Sequence, residues 1–253
     1  MTLYLIGIGL SDEKDITLKG SEAVKKCKKL YAENYTSKLN VSWTKIEKVC
    51  DKKIILADRN LVENNAEETI LKDAQKNNVG VLIVGDPFAA TTHADLWLRA
   101  KKAGIKVEVI HNASIFSAVG VTGLQLYKFG AVASIPFFDD GLFYETPLNI
   151  IKNNQSLGLH TLVLLDLQPD KNRFMSVSDG LKYLLEVQSK RKDTVIHNKT
   201  KCVACARLGS KNEVIKFGDV ESLLAFDFGA PVQCIIIPGK LHFMEEEVLK
   251  SFV

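Results

Sequence analysis

The sequence predicts an α/β protein made of two α/β domains, with a mostly parallel sheet in the first and a mixed sheet in the second. Apolar runs alternate with amphipathic helical patterns through the first 111 residues, which is typical of parallel strands joined by helical crossovers. Consecutive strand patterns near the carboxyl terminus favour a mixed sheet. The regular alternation of strand and helix patterns ends near residues 110–114, which predicts domains at 1–112 and 113–253.

In the first half, strands are predicted from short apolar runs and helices from apolar positions spaced i, i+3 and i+4. Thr17 is the expected N-cap of the first helix, and Thr92 with Asp95 fits a capping box. Gly104 stands where a C-terminal cap belongs. The predicted strands are 3–10, 30–34, 79–84 and 105–111, the predicted helices lie within 15–30, 60–78 and 92–104, and 43–57 is ambiguous.

The second half is predicted to open with an apolar helix that starts near Ser114 to Ser117. Three consecutive strand patterns lie near the carboxyl terminus, which is why the second sheet is expected to be mixed. The predicted order is an extended segment at 131–138, a loop and helix within 141–160, a strand at 161–167, a helix at 176–191, and strands at 201–209, 212–218 and 232–239.

Composition excludes several classes of protein. Hydrophobic residues make up 46% of the 253 residues, and the net charge is only +3, which does not indicate nucleic-acid or membrane-surface binding. The apolar runs are shorter than the ~20 residues that cross a bilayer. The apolar amino terminus lacks a basic lead and turns acidic at once, so it is interpreted as a strand rather than a signal peptide.

The five cysteines are odd in number and scattered, so no disulfide framework is predicted. Together with the absence of a secretion signal, this favours the cytosol. Cys202 and Cys205 have metal-like spacing, but they lie in a strand pattern with no second pair, so we interpret them as core residues. His93 stands at the first turn of a predicted helix and has no partner at ligand spacing. No metal site is predicted.

The first glycine turn, 7-GIG-9, invites a dinucleotide-binding interpretation. That fingerprint needs a third glycine where this chain has Asp12, and Glu13 and Asp15 follow where a pyrophosphate would approach. A Walker loop is also absent from the sequence. The turn still indicates a strand end where the backbone turns tightly or a ligand comes close.

Asp86 follows the apolar run 79-VGVLIV-84, and Pro87 steers it towards extended geometry. Ligands of open α/β sheets bind beyond the carboxyl ends of the strands, so this carboxylate could accept hydrogen bonds from a ligand. It could equally terminate the strand and close the turn. The spacing leaves both interpretations open.

Ser114 and Ser117 precede the predicted apolar helix. A serine in this position can cap the helix or contact a ligand near the free N–H groups of the helix start. No Ser/His/Asp or Cys/His set is close in sequence, so a nucleophile system is not predicted.

Several segments together resemble the diphthine synthase family, which belongs to the tetrapyrrole-methylase-like class of methyltransferases. The loop 84-VGDPFAATTHADL-96 and the segment that begins HNASI at residue 111 are specific to this family within the class. The segments that carry the resemblance are 3-LYLIGIGL-10, 84-VGDPFAATTHADL-96, 111-HNASIFSAVGVTGLQLYKFGA-131, 159-LHTLVLLDL-167, 204-ACARLGS-210 and 229-GAPVQCIIIPGKLHFMEEEVL-249.

The resemblance implies a cytoplasmic homodimer that binds S-adenosylmethionine in the cleft between its two domains. The implied substrate is translation elongation factor 2, on which a histidine carries a 3-amino-3-carboxypropyl group. The amino group would be methylated repeatedly, and the residues leave open whether the carboxylate is also esterified. The cofactor contacts carried over by motif are Leu10, Asp86, Ala89, Ser114, Ile115, Leu165, Leu208 and Gln233.

A methyl donor that is already activated needs placement more than a catalytic set. Solvent can take the proton of an acceptor amine, so no catalytic residue is predicted. Asp86 is then expected to contact a polar end of the cofactor, whereas Asp166 at a strand end could be purely structural.

Two alternatives remain at this stage. One is a methyltransferase of the same class that acts on a corrin or porphyrin precursor; such anionic acceptors call for a basic cleft, yet GDPFAATTH and HNASIF contain no Lys or Arg. The other is a non-catalytic protein that senses the cofactor or binds translation factors. Transfer of label to elongation factor 2 would separate the three.

Overall fold

The computed structural model describes residues 1–139 and 141–253, with the side chain of Asp170 outside the described part. The chain divides into two compact units. The first contains Met1–Ala118 and Gln168–Asn172, and the second contains Val119–Leu167 and Arg173–Val253. The domain boundary between residues 112 and 113 stays a prediction.

The first unit contains a sheet whose strands are all parallel and follow the order β3-β2-β4-β1-β5. Because β1 lies between β4 and β5, the carboxyl ends of these three strands meet at one edge. The strands are β1 Thr2–Gly7, β2 Lys29–Glu33, β3 Ile54–Ala57, β4 Val79–Ile83 and β5 Lys106–Ile110. The helices are α1 Leu18–Lys26, α2 Trp43–Cys50, α3 Lys72–Lys76, α4 His93–Lys102 and α5 Ile115–Ala118.

Apolar side chains cover both faces of this sheet, as the near-continuous apolar strands require. One buried cluster contains Leu3, Leu5 and Val81, and another contains Tyr4, Ile6 and Leu82. Alternate residues of one strand thus enter opposite layers of core. No helix in the described residues has the length and apolar character needed to pass through a membrane.

Two of the three predicted helix signals of the first unit are confirmed. The Thr17 hydroxyl accepts the N–H of Gly20 at 2.9 Å, and Gly104 ends α4 with φ +71°. The capping box of Thr92 and Asp95 is wrong. Thr92 has φ −100° and ψ 8° and makes no capping hydrogen bond, because this backbone conformation differs from the extended one that a cap adopts. Asp95 instead pairs with Arg99 Nε at 3.0 Å.

Other differences concern helix length. The ambiguous segment 43–57 forms α2 and β3, and the helix predicted within 60–78 is divided into π-helical turns at Asn60–Asn64 and Glu67–Leu71 followed by α3. The apolar helix expected after Ser114 is only the four-residue α5, continued by a 3₁₀ turn at Val119–Thr122. Gly123, with φ +82°, lies directly after this turn, where a helix cannot continue.

The second unit contains the predicted mixed sheet, with strand order β11-β10-β12-β7-β6. Only β6 and β7 are parallel neighbours in it. The strands are β6 Ala133–Ile135, β7 Thr161–Leu165, β10 Lys201–Ala206, β11 Val214–Asp219 and β12 Gln233–Ile237, and β8 Leu167–Gln168 pairs separately with β9 Arg173–Phe174. The helices are α6 Thr146–Ser156, α7 Val177–Ser189, α8 Val220–Leu224 and α9 Phe243–Lys250.

A buried polar network ties the start of α9 to the sheet of the second unit. Glu245 and His160 are both fully buried. Glu245 Oε1 accepts from His160 Nε2 at 3.0 Å and from the N–H of Gln125 at 2.9 Å, while Oε2 accepts from Lys128 Nζ at 2.5 Å and from the N–H of His242 at 2.7 Å. His160 Nδ1 accepts the N–H of Gly239 at 2.9 Å, so His160 is the neutral tautomer with its hydrogen on Nε2.

We expect the free energy of unfolding to fall as the pH is lowered from about 8 to about 5. Burial lowers the pKa of His160 below its ordinary value, although the Glu245 carboxylate opposes this shift. When the pH falls below about 6.5, the ordinary pKa of histidine, His160 takes up a proton in the unfolded chain but not yet in the folded protein. Proton uptake therefore favours the unfolded chain and lowers the free energy of unfolding. Glu245 acts in the same direction at lower pH: burial would raise its pKa, but its hydrogen bonds lower it to about 2.

Urea denaturation midpoints measured across this pH range check the expectation. The His160→Gln variant should show a shallower dependence than the unmodified protein. Its remaining slope includes His93 of the first unit, whose pKa is also lowered by burial. A midpoint that stays constant between pH 8 and pH 5 would contradict the expectation.

Candidate functional site

Loops that follow β1, β4 and β5 pack against one another at the carboxyl edge of the first sheet. The N–H of Gly85 donates to the carbonyl of Gly9 at 2.7 Å, and both glycines have positive φ, +78° and +79°. A Cβ atom at Gly7 would lie 2.6 Å from the carbonyl oxygen of Gly85 and 2.9 Å from Cβ of Asn112. The glycines of the first turn are therefore required for close contact between loops.

The loop after β1 does not offer its amides to a phosphate. Asp15 Oδ2 accepts the N–H groups of Ser11 at 2.7 Å, Leu10 at 3.1 Å and Asp12 at 3.4 Å. The protein's own carboxylate thus lies where a pyrophosphate would need to bind. Asp12, which stands where the dinucleotide-binding fingerprint has a glycine, caps the 3₁₀ turn Glu13–Asp15 and accepts the N–H of Lys14 at 2.9 Å.

Asp86 uses both carboxylate oxygens within the first unit. Oδ1 accepts the N–H of Phe88 at 3.0 Å, and Oδ2 accepts the N–H of Asn112 at 3.1 Å and lies 2.7 Å from His111 Nδ1. Burial on its own would raise the pKa of Asp86, but these hydrogen bonds lower it below its usual range. The turn-closing interpretation of Asp86 is confirmed, while its role as a ligand contact stays a prediction.

His111 forms a dyad with Asp86. An ionised carboxylate can only accept, so His111 Nδ1 carries a hydrogen and donates it to Asp86 Oδ2. The His111 side chain is 69% exposed, whereas that of Asp86 is 14% exposed. The sequence analysis did not identify this histidine as functional, although its position directly after β5 was a usable signal.

Asn112, which the sequence analysis also missed, joins two of the loops. Its Nδ2 donates to the carbonyls of Gly7 at 3.0 Å and Asp15 at 2.9 Å. Together with the contact of its N–H to Asp86, these bonds connect the ends of β1, β4 and β5. Asn112 therefore fixes the geometry of the edge on which the candidate site lies.

The two serines of the HNASI region have different roles. Ser117 Oγ accepts the N–H of Ser114 at 3.1 Å and donates to the carbonyl of Ser114 at 3.0 Å. The Ser114 hydroxyl makes no hydrogen bond within the described part of the chain and is mostly buried. Ser117, rather than Ser114, therefore makes the local capping contact.

The structure brings the five predicted site residues of the first unit to the same edge. Leu10 follows β1, Asp86 and Ala89 follow β4, and Ser114 and Ile115 follow β5. The N–H of Ala89 donates to the carbonyl of Asp86 at 3.2 Å, which folds the loop back on itself.

Leu165, Leu208 and Gln233 lie at one edge of the second sheet. Leu165 ends β7 and Leu208 follows β10, whereas Gln233 begins β12. Strand β12 is antiparallel to both β10 and β7, with Ala206 opposite Gln233 and Leu164 opposite Cys234. The start of β12 therefore lies beside the ends of β10 and β7.

The side chains at this second edge are also tied into the fold. Gln233 Oε1 accepts the N–H of Val177 at the start of α7 at 2.8 Å, and its Nε2 donates to the carbonyl of Gly229 at 2.9 Å. Asp166 accepts the N–H groups of Phe137 at 3.0 Å and Leu167 at 2.9 Å, which confirms a structural role for this carboxylate.

The metal-like motifs of the sequence lie in the core. Cys202 and Cys205 are buried on β10, as predicted, and a separation of three places them on opposite faces of the strand. Burial raises the pKa of the Cys202 thiol to about 12. His93 is 1% exposed, and neither ring nitrogen has a hydrogen-bond partner in the described structure. Within the described residues, no three His, Cys, Asp or Glu side chains converge as metal ligands.

The first edge has the chemistry expected for a cationic ligand such as S-adenosylmethionine. Asp86 supplies a carboxylate that its hydrogen bonds keep ionised. Gly85, Ala89 and Ala113 have small or no side chains at this edge, and the Ser114 hydroxyl is available as a donor or acceptor. These residues fit the cofactor implied by the sequence resemblance.

Comparison with known proteins gives consistent similarities. Residues 2–224 match the family model of the tetrapyrrole (corrin/porphyrin) methylases. A diphthine synthase of Methanocaldococcus jannaschii is 50% identical over 98% of this chain and 97% of its own length. A protein of Arabidopsis thaliana named "Probable diphthine methyl ester synthase" is 48% identical over 99% of this chain and 98% of its own length.

Solved structures agree with these sequence similarities. A crystal structure of a diphthine synthase matches with a TM-score of 0.91 and 37% identity, and the match covers 100% of this chain and 96% of that one. The fold and the sequence therefore point to the same group of proteins.

Proposed function

This chain belongs to the tetrapyrrole (corrin/porphyrin) methylase family, as one of its diphthine synthases, and we propose that it methylates translation elongation factor 2 with S-adenosylmethionine. It is thus a methyltransferase of diphthamide biosynthesis. The observation that carries the proposal is the 50% identity to a diphthine synthase along almost the whole of both chains. The acceptor is the amino group of a histidine-linked 3-amino-3-carboxypropyl group, which is methylated repeatedly.

The cofactor contacts are proposed at the two sheet edges described above. In the first unit they are Leu10, Asp86, Ala89, Ser114 and Ile115. In the second unit they are Leu165, Leu208 and Gln233. We also propose that the protein acts as a cytoplasmic homodimer without nucleic-acid or membrane partners.

When bound, S-adenosylmethionine supplies a methyl group that its sulfonium has already activated. The protein has to hold the acceptor amine in line with that methyl and keep competing water away. Placement of two reactants in this way can lower a barrier by on the order of 7–11 kcal/mol. The Asp86 carboxylate and the Ser114 hydroxyl contribute by fixing the polar parts of the donor.

Label transfer tests the proposed function. The protein is incubated with methyl-labelled S-adenosylmethionine and elongation factor 2 that carries the 3-amino-3-carboxypropyl-histidine. We expect label on that residue, and mass spectrometry of the peptide gives the number of methyl groups and detects any ester. Label that appears on a corrin or porphyrin precursor but never on the factor would instead support the alternative within the same family.

Ser114→Ala should weaken S-adenosylmethionine binding by about two- to twelvefold, which corresponds to the loss of one hydrogen bond of roughly 0.5–1.5 kcal/mol. Stability should hardly change, because the Ser114 hydroxyl has no partner within the described structure. Isothermal titration calorimetry and thermal unfolding measure the two quantities.

Ser117→Ala is the matched control for Ser114→Ala. Its hydroxyl makes the local capping contacts, so it should lower stability more than cofactor affinity. The reverse ranking of the two variants would contradict the assignment of Ser114 as a ligand contact.

A further inference from the structure

We propose that His111, held by Asp86, is the general base that removes the proton from the acceptor amine before each N-methylation. This inference rests on the proposed function, because it requires an acceptor that is an amine. It goes beyond the placement of cofactor and acceptor and assigns a catalytic residue, which the sequence analysis did not predict.

The geometry of the dyad carries the inference. Asp86 is fixed by two backbone amides, those of Phe88 and Asn112, so its Oδ2 is aimed at His111 Nδ1 at 2.7 Å. This contact sets the orientation of the imidazole ring and places its hydrogen on Nδ1. In the neutral ring Nε2 is then an acceptor, which is the arrangement that a histidine base needs.

The surroundings of His111 leave its ring accessible to an incoming substrate. The side chain is 69% exposed, and Nε2 makes no hydrogen bond within the described residues. Phe88 lies beside it, with ring centroids 6.5 Å apart. The next two candidate cofactor contacts, Ser114 and Ile115, follow three and four positions along the same loop.

Asp86 is the charged side chain that contacts His111 in the described structure. Asp15, in the loop after β1, is oriented towards the amides of Leu10 and Ser11. The Asp86 carboxylate would therefore stay at the Nδ1 side of the ring when Nε2 takes the proton.

The proposed step balances in protons and electrons. A primary amine beside a carboxylate is mostly an ammonium at neutral pH and has no lone pair to attack. His111 Nε2 takes one proton, and the freed lone pair forms the new N–C bond while the old C–S bond breaks and its electrons stay on sulfur. The product ammonium has one fewer N–H, and His111 returns its proton to water before the next cycle.

The number of N–H protons limits the role of the base. Three successive methylations each need one deprotonation, and a trimethylated amine has no proton left to lose. Methylation of a carboxylate needs no deprotonation at neutral pH, because the acceptor oxygen already carries lone pairs and negative charge. The dyad should therefore matter for transfer to nitrogen and not for transfer to oxygen.

His111→Ala tests the proposal, with His197→Ala as the control for loss of an exposed histidine elsewhere in the chain. Near pH 7 we expect the rate constant of amine methylation in His111→Ala to fall by about 10²-fold or more. The dissociation constant of S-adenosylmethionine should change less than about threefold. The methylation rate of His111→Ala should recover as the pH approaches the pKa of the free amine, and also when imidazole is added. His197→Ala should behave as the unmodified protein.

A second variant, Asp86→Asn, keeps His111 but changes which of its ring nitrogens carries the hydrogen. In Asp86→Asn the amide can donate to Nδ1, which moves the ring hydrogen to Nε2 and removes the base. We expect a fall in the methylation rate of similar size and the same recovery at high pH. Because Asp86 is also a proposed cofactor contact, the methylation rates of Asp86→Asn and of the unmodified protein are compared at saturating S-adenosylmethionine.

The outcomes separate this inference from the proposed function. If the unmodified protein methylates the factor and His111→Ala keeps at least a third of the rate with the same pH profile, the base assignment is wrong while the function stands. If His111→Ala loses cofactor affinity and rate together, with no recovery by imidazole or high pH, His111 has a structural role and the assignment is again wrong. If the unmodified protein transfers no methyl to the factor, the proposed function fails first.

Discussion

A Glu245→Ala variant should lose about 3–5 kcal/mol of the free energy of unfolding of the second unit. Glu245 is fully buried and its two oxygens accept from four donors, on Gln125, Lys128, His160 and His242. Removal of the carboxylate leaves these donors without their acceptor, and it leaves the partly buried charge of Lys128 without its counter-ion. The cost of such orphaned groups exceeds the cost of the missing atoms.

Urea or thermal denaturation of the whole chain measures the loss. Glu246→Ala is the matched control, because Glu246 is the next residue of α9 and is exposed; a change within about 0.5 kcal/mol is expected there. Equal stability losses in the two variants would mean that the buried network is not what stabilises the start of α9. Glu245→Ala should leave cofactor affinity per folded molecule unchanged, since Glu245 lies at the opposite end of β7 from Leu165.

Asp86→Ala should weaken S-adenosylmethionine binding at least tenfold and lower the methylation rate at saturating cofactor by about 10²-fold or more. Two roles meet at this carboxylate. It is the proposed contact for a polar, cationic end of the donor, and it holds His111 in the tautomer that accepts a proton. Because its two roles act on different steps, calorimetry and steady-state kinetics should both register the substitution.

Asp95→Ala controls for the loss of one negative charge in the first unit. Asp95 is exposed and pairs with Arg99 on the surface of α4, where an ion pair contributes about 0–1 kcal/mol. We expect neither affinity nor rate to change there. The assignment of Asp86 would be untenable if Asp86→Ala, folded as judged by circular dichroism, bound the cofactor as tightly as the Asp95→Ala control.

Much of the architecture follows from local patterns. The apolar runs at β1, β4 and β7 are strands because they are buried on both sides, and such runs are visible in one dimension. Thr17 and Gly104 were predicted correctly because a cap acts on its own neighbours. The capping box predicted for Thr92 does not form, because the backbone of Thr92 is not in the extended conformation that a cap needs. The spacing of residues in the sequence does not show this backbone conformation.

Helix lengths in the middle of the chain were predicted less well for a related reason. The pattern 60–78 is apolar at helical spacing, and Ile70, Leu71 and Ala74 are indeed buried. The backbone nevertheless forms π-helical turns before α3, a local winding that the apolar spacing of the sequence does not show. The apolar segment after Ser114 shows the same limit, since glycines divide it after only four α-helical residues.

By itself the sequence determined the α/β class, the mixed character of the second sheet and, through its motifs, the resemblance to the diphthine synthase family. It also placed the candidate residues at strand ends, because strand ends can be recognised from neighbouring residues. Only the tertiary structure decided that Asp86 holds His111, that Asp15 fills the amide loop after β1, and that Glu245 is buried with His160 and Lys128. Asp15 contacts its own loop, but the partners in the other two sets of contacts lie far apart in the sequence. Such contacts form only when the strands and loops have packed together, and no single stretch of sequence encodes that packing.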